Sequence, residues 1–465
     1  MRHILLIIGV LTTLTLLSGQ SPRPTPEPDS TRRPTMSDSV SPISFPGVEN
    51  AIVGVYIEDL ATGEVLAEYG ADRPMCPASI MKAVTSASVL SLYAGDRCFA
   101  TRIGTEGKIA EGVLHGNIVI TASGDPTLGS AYFDAPDAMR DSLIASLRRA
   151  GIDSVAGCIR IDGSAIPDPA YPPGWGDDDY MWPYGAMLRG FNWRDNRYLL
   201  TLPSRATDPY IPGLKVEFRR LRRGKMGYDA MPPLTVVKAW GRPSAKGSTV
   251  ALAMPSPSDA FIFAMTSALA DSAIAIGNAA IDPDTLATSE LTSVTSPAFP
   301  EILRSLMHRS DNLFAEGMLR TIAPREPRDT AVSRETALWS LRGADTDSVA
   351  IIDGSGLSRL NRLTPWFLSD VLAWMARSPN GALYASLFPK VGQEGTVKRF
   401  LADTPLEGQL ALKTGTMSGV RALAGYRLDS EGNPTHTVVL IVNGFSCSPS
   451  VVNKAAQTFF LNFFS

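Results

Sequence analysis

The sequence predicts an α/β domain split along the chain, its two pieces at the ends and a β-rich insertion between them. Three observations predict it: the N-terminal part reads strand, turn, strand, helix; the C-terminal part reads three strands and a closing helix; the stretch between has a different texture. Ile52–Leu60 carries alternating apolar residues, Ala61-Thr62-Gly63 turns, and Glu64–Tyr69 returns as a second strand. Ser79–Tyr93 follows as a helix, with Ile80, Val84, Ala87, Leu90 and Leu92 near 3.6-residue spacing. At the other end, Leu410–Thr414, Ala422–Leu428 and Thr437–Val442 are strand-like, and Asp429-Ser430-Glu431-Gly432-Asn433 is a turn cluster. Val451–Phe464 closes the chain as a helix whose Phe459, Phe460, Phe463 and Phe464 are expected to pack on the sheet rather than enter a membrane.

Residues from about 100 to 257 hold most of the Pro and Gly punctuation, short β-like runs and the aromatic stretch Tyr171–Trp193. Helical patterns resume at Ser258–Leu269 and Glu301–Ile322. The expected division is therefore 47–99 with 258–465 for the split domain and 100–257 for the insertion, with a nested subdomain near 200–234.

The N-terminus reads as an export signal over residues 1–19. Arg2 and His3 precede an apolar run from Ile4 to Leu17, and Ser18-Gly19 supplies small residues for cleavage. A retained anchor is the alternative, although the run falls short of the roughly 20 residues of a full span. Residues 20–46 carry repeated prolines and form an extended tether. The folded part is thus expected to work outside the cytoplasm, in the periplasm or another extracytoplasmic space, with no integral span once the signal is cleaved. The 465 residues, 44% of them hydrophobic, are ample for a large core and exclude global disorder. A net charge of −3 argues against a nucleic-acid partner. The four cysteines admit two disulfides in three pairings, or four free thiols, and none is spaced as a metal pair with another Cys or a His, so neither metal nor cofactor is expected.

Three short motifs carry chemistry. In Ser79-Ile80-Met81-Lys82, the three-residue spacing puts a hydroxyl and an amine on one helix face. A Ser hydroxyl becomes a nucleophile when a nearby base takes its proton, and a Lys is that base when burial or a second cation depresses its pKa. The plainer reading is Ser79 as a helix cap with Lys82 solvated. Ser310-Asp311-Asn312 joins two apolar-periodic segments, where a second hydroxyl can relay a proton and the amide can position a substrate; here the plainer reading is a cap on the next helix. Lys413-Thr414-Gly415-Thr416 ends a strand-like run, so a cation and two hydroxyls sit on one edge and suit a carboxylate, with Gly415 allowing close approach of a ligand backbone; otherwise it is an ordinary strand end.

Each motif is weak alone, but the ordered trio is the signature shared by class A β-lactamases and penicillin-binding proteins. The 231 residues from Ser79 to Ser310 leave room for an insertion that class A β-lactamases lack. The sequence resembles the D-alanyl-D-alanine carboxypeptidase/endopeptidase family, the class C low-molecular-mass penicillin-binding proteins or S13 peptidases. The resemblance extends to Gly124-Asp125-Pro126-Thr127-Leu128, to Leu313-Phe314-Ala315-Glu316 after the second motif, to Asp353-Gly354-Ser355-Gly356-Leu357-Ser358-Arg359, and to Gly395-Thr396 and Gly425-Tyr426. It implies an antiparallel sheet flanked by helices, interrupted by the large insertion, with no cofactor and no metal.

It also implies that Ser79 attacks the carbonyl of a terminal D-Ala-D-Ala bond or peptide cross-link, with Lys82 as base. Ser310 would pass a proton to the leaving amine, Lys413 would keep Lys82 neutral by like-charge repulsion, and Asn312 would hold the substrate amide. The N–H groups of Ser79 and Thr416 would form the oxyanion hole, and Thr414, Gly415 and Thr416 would line the subsite for the terminal carboxylate. From the insertion, Trp175, Asp177 or Asp178, and Tyr184 match a pocket for the stem-peptide side chain, which Arg359 approaches from the core. Peptidoglycan stem peptides and β-lactams are the implied partners. The rival readings are a β-lactamase-like hydrolase, which needs a water-activating acid that no motif supplies, and a non-catalytic receptor for muropeptides or β-lactams. A Ser-His-Asp hydrolase is excluded, since the four His have no motif context and there is no Gly-x-Ser-x-Gly.

Overall fold

The computed structural model describes residues 48, 50–277 and 288–464. The expected export signal and tether lie outside the described residues. Among the described residues, no helix is long and apolar enough to cross a membrane.

The two ends of the chain meet in one five-stranded antiparallel sheet, in the order Leu410–Met417, Val420–Leu428, Pro434–Asn443, Ile52–Asp59, Val65–Tyr69. The seam pairs Ile52 with Asn443 at one end and Asp59 with His436 at the other. The period of two explains how one strand serves two cores. Val439 and Ile441 enter the core on one face, and Val438, Leu440 and Val442 enter the core on the other. Burying side chains of this size contributes about 1.5–3 kcal/mol each, which ties the chain ends together. One face carries the helices Met81–Leu92, Phe299–Arg309, Asn312–Thr321 and Pro365–Arg377. The other carries Pro449–Phe463, with Phe460 fully buried and Phe459, Phe463 and Phe464 packed beside it. The C-terminal aromatic face belongs to the core.

The interposed region builds a core of its own. The hairpin Ala100–Ala110/Val113–Thr121 is joined by Thr288–Thr295 antiparallel on one edge and by Ser154–Val155 and Ile159–Asp162 parallel on the other. Two three-stranded sheets complete it. One orders Ser248–Ala253, Arg197–Leu202, Ala206–Asp208; the other orders Gly227–Asp229, Val236–Gly241, Lys215–Arg220. The return to the split domain expected at 258 is therefore too early. Helix Pro257–Asp271 buries Ala260, Phe261, Met265 and Leu269 in this second core, and Phe299 opens the next helix of the main one. Helical periodicity reports that a face is buried, not which core buries it. The nested unit expected near 200–234 also shifts, since the small sheet spans Lys215 to Gly241. All four cysteines are unbridged.

Candidate active site

Ser79 lies in a 3-10 turn, Ala78–Ile80, that runs directly into the helix Met81–Leu92. Lys82 Nζ donates to Ser79 Oγ at 3.1 Å, to Asn312 Oδ1 at 2.6 Å and to the Ser355 carbonyl at 2.5 Å. Lys82 is fully buried and Ser79 half-buried, so the amine sits beneath a reachable hydroxyl. Two glycines close the surroundings onto this turn. A Cβ on Gly356, whose φ is +77°, would stand 1.9 Å from the Ala78 carbonyl oxygen, and one on Gly415 would stand 2.6 Å from that of Pro77. Gly415, expected to admit a ligand's backbone, admits the chain's own.

The helices Phe299–Arg309 and Asn312–Thr321 meet at the second motif. Ser310 ends the first in the left-handed region (φ 61°), and Asp311 caps the second by accepting from Phe314 N at 3.0 Å. Capping and site geometry do not compete, because Asp311 does the capping while its neighbours turn elsewhere. Ser310 Oγ accepts from Lys413 Nζ at 2.9 Å, and Lys413 also donates to the Thr414 carbonyl at 2.7 Å. Asn312 Nδ2 donates to the Tyr184 carbonyl at 2.8 Å, so both ends of its amide are engaged. On the strand Leu410–Met417, Thr414 Oγ1 lies 2.7 Å from Thr396 Oγ1, and Thr416 Oγ1 accepts from Arg421 at 2.6 Å.

Burial pulls the Lys82 pKa down to about 8, against the opposing pull of Asp353, Asp311 and Glu316. Lys413 is held well below the usual lysine range, first by burial, then by the charges of Lys82 and Arg421. Like-charge repulsion was expected to keep Lys82 neutral; burial is its leading cause, and the repulsion registers at Lys413. Among the described residues, no group of three or more His, Cys, Asp and Glu side chains could hold a metal ion.

The positions expected to form a side-chain pocket are placed variously. The Tyr184 ring is exposed and its hydroxyl donates to Asp179 Oδ1 at 3.2 Å, while its backbone carbonyl reaches Asn312. Asp178 is exposed and makes no hydrogen bond among the described residues; its neighbour Asp179 also accepts from Gly176 N at 3.1 Å. Arg359 donates through its backbone to Gly174 O and through its guanidinium to Ser418 O, both at 3.3 Å. Trp175 is turned inward, its Nε1 donating to Asp353 Oδ2 at 2.7 Å.

Sequence reasoning assigned no role to Asp353, which organises this corner. Its carboxylate also accepts from Gly356 N at 2.7 Å, Ser358 N at 2.6 Å and Asn361 Nδ2 at 2.7 Å. Ser358 Oγ donates to Pro173 O at 2.6 Å, and Ser355 N to Glu316 at 2.9 Å. The Gly- and Ser-rich run after Asp353 was the available signal, since short polar loops of that kind bond to a carboxylate through backbone N–H groups. Burial, then the Asp353 charge, raises Glu316 to about 7.

Comparison with known proteins shows the family. The model of the D-Ala-D-Ala carboxypeptidase 3 (S13) family matches residues 41–219 and 234–460, leaving 220–233 unmatched. The D-alanyl-D-alanine carboxypeptidase of Actinomadura sp. (strain R39) is 27% identical over 436 residues, covering 85% of this chain and 78% of that protein. The D-alanyl-D-alanine carboxypeptidase DacB of Haemophilus influenzae is 24% identical over 440 residues, covering 89% and 90%. The fold is similar to the crystal structure of penicillin binding protein 4 from Haemophilus influenzae, with a TM-score of 0.77 at 21% identity over 90% of this chain and 97% of that one. With its two matched stretches spanning nearly the whole described chain, the protein belongs to the S13 family of D-Ala-D-Ala carboxypeptidases and is a serine-type peptidase of the carboxypeptidase/endopeptidase class.

Proposed function

We propose that Ser79 is the nucleophile of this peptidase, Lys82 its base, and the stem peptides of peptidoglycan its substrate. The observation that carries the reading is Lys82: a fully buried amine, 3.1 Å from the Ser79 hydroxyl, with a pKa near 8. An ordinary lysine, near 10.4, is almost wholly protonated at neutral pH and accepts nothing; at about 8, roughly a tenth is neutral at pH 7 and able to act.

Ser79 Oγ attacks the carbonyl carbon of a terminal D-Ala-D-Ala bond or cross-link while its proton passes to Lys82. The oxyanion faces the N–H groups of Ser79 and Thr416, donors of a kind worth about 3–4 kcal/mol each. Expulsion of the amine needs a proton: Ser310, whose hydroxyl is held by Lys413, gives its own to the amine and regains the one that Lys82 took from Ser79, so Lys82 returns to its neutral form. Water then resolves the acyl-enzyme. Thr414 and Thr416 share one strand and present two hydroxyls to the terminal carboxylate, with Gly415 keeping that strand against the Ser79 turn. Asn312 holds the substrate amide after releasing the Tyr184 carbonyl, which couples the inserted turn to occupancy of the site. A β-lactam acylates Ser79 and is not rapidly released. Asp178, Tyr184 and Arg359 read the stem-peptide side chain, and the enzyme works in the periplasm or another extracytoplasmic space.

Mass analysis of cross-linked muropeptides treated with wild type and Ser79→Ala tests this. Release of D-Ala, or splitting of dimers, is expected from wild type alone; activity that survives the substitution would refute the nucleophile. Asp178→Ala is expected to weaken turnover of free-amine stem peptides and leave penicillin acylation intact, and equal loss of both would sink the pocket. A chromogenic cephalosporin should be captured stoichiometrically; rapid turnover would favour a lactamase.

A further inference from the structure

The small sheet of the insertion carries a charge unlike the rest of the molecule. Residues 215–246 hold nine Lys and Arg against Glu217 and Asp229, a net of +7 in a chain whose total is −3. All nine are exposed, and among the described residues Lys215 alone is ion-paired, with Glu217 at 2.7 Å. Cations at this density repel one another, and the two carboxylates among them, Glu217 and Asp229, both neighbour Lys238, which leaves the arginines without an acidic partner in the sheet. Arg220, Arg222, Arg223 and Lys225 fall within 220–233, the stretch that the family match leaves out.

The strand register sets Lys215, Arg219, Lys238 and Trp240, all exposed, on one face of this sheet. Trp240 lies beside Arg219 on one neighbouring strand and Gly227 on the other. The missing side chain at Gly227 is what the indole occupies, since a Cβ there would stand 2.5 Å from Trp240 Cε2. The ring thus lies across the sheet, 37% exposed, in a groove of about 560 Å³ whose other charged lining is Arg205, Lys215, Arg219 and Lys238 with the single carboxylate Glu217. A second hollow of about 430 Å³ is lined by Arg220, Arg222 and Arg242.

We propose that this basic sheet, its Trp240 groove together with the arginine-lined hollow, is a second docking surface, separate from Ser79, for the polymer on which the enzyme acts: a glycan strand bearing peptide carboxylates. Sugar rings stack on Trp240, and the carboxylates pair with the flanking guanidinium and ammonium groups. The inference rests on peptidoglycan being the substrate. A bilayer is the competing polyanion, but it is planar and engages aromatic side chains that protrude, whereas Trp240 lines a groove.

The test uses the full chain carrying Ser79→Ala, so that the polymer survives and docking is read apart from catalysis. Co-sedimentation with purified sacculi is compared for this background, for added Trp240→Ala, and for added Arg219→Gln/Arg220→Gln/Arg222→Gln/Arg223→Gln. Affinity is expected to fall about tenfold or more for the quadruple variant and about threefold or more for Trp240→Ala. It should also fall with salt, and on amidated sacculi. The same surface substitutions in the active enzyme should leave turnover of a soluble D-Ala-D-Ala peptide unchanged and the melting temperature no lower than that of wild type. Failure of wild type on that peptide would count against the substrate assignment instead. Unchanged binding by both variants, or indifference to amidation, would overturn the proposal. So would variant-sensitive binding to phosphatidylglycerol vesicles without any to sacculi, which would mark the face as a membrane dock.

Discussion

Asp353→Asn separates charge from shape at the centre of the site. The aspartate accepts four hydrogen bonds, two on each oxygen: Gly356 N and Asn361 Nδ2 on Oδ1, Trp175 Nε1 and Ser358 N on Oδ2. An asparagine side chain must turn its NH2 toward one of these pairs, so two charge-assisted bonds are lost whichever way it lies. At about 1.5–3 kcal/mol each, the cost is about 3–6 kcal/mol, a large share of an ordinary domain's stability. The loop that loosens also carries the Ser355 carbonyl that holds Lys82 at 2.5 Å. Misplacing the base should slow acylation by a fluorescent penicillin about 10–100-fold at the pH plateau. A second effect is independent of placement. Asp353 is the foremost of the charges that raise the Lys82 pKa, so neutralising it moves the inflection of the acylation rate below the wild-type value of about 8. Trp175→Phe is the control, removing one donor to Asp353 while leaving its charge, so the inflection should stay near 8. Stopped-flow acylation across pH 6–10, about the range that brackets both inflections, reads plateau and inflection separately. An Asp353→Asn enzyme with the wild-type plateau and inflection would refute the reasoning.

Glu335 is fully buried, accepts from Ser88 Oγ at 2.8 Å, and is raised by burial to about 8. Its folded pKa lies above the unfolded one, so its contribution is fully present below about pH 4.5 and lost as pH rises through 8. The urea midpoint of wild type should therefore fall between pH 5 and 8 more than that of Glu335→Gln; parallel slopes would contradict this. Lys82→Met should remove the acylation inflection near pH 8 along with most of the rate, and an inflection that persists would assign it to another group. Gly356→Ala forces a Cβ to within 1.9 Å of the Ala78 carbonyl at a φ of +77°; a loss of about 2–5 kcal/mol and slower penicillin capture are expected, measured by thermal melting and acylation rate. Because no cysteine is bridged, a reductant should leave the melting temperature unchanged.

The parts of the site that were legible in the sequence are those set by short spacing. Ser79 and Lys82 share a helix face because they are three residues apart, and that geometry holds whatever the rest of the chain does. The strands of the central sheet were legible because a strand buried on both faces leaves an apolar run, as in Thr437–Val442. What depends on long-range packing was not. The helix after Ser256 has the same periodicity whether it faces one core or the other, which is why the boundary at 258 was misplaced. The Tyr184 contribution through a backbone carbonyl is invisible to residue type, and so is the close approach of Pro77 to Gly415, because the fold alone decides what approaches a glycine. Burial, the leading cause of the Lys82 shift, is likewise a property of the assembled core.

The seam between Ile52–Asp59 and Pro434–Asn443 also imposes an order of events. The ribosome completes Ser79 and Lys82 early, yet the strand that brings Lys413 to Ser310 exists only when nearly the whole chain is made. Pairings across almost 400 positions close slowly, because a long loop must be ordered before any contact is gained. A fragment that ends before Leu410 lacks Lys413 and the strand that carries it to Ser310. The split topology thus ties the arrangement around Ser79 to the completion of the sheet, nearly the last part of the chain to be made.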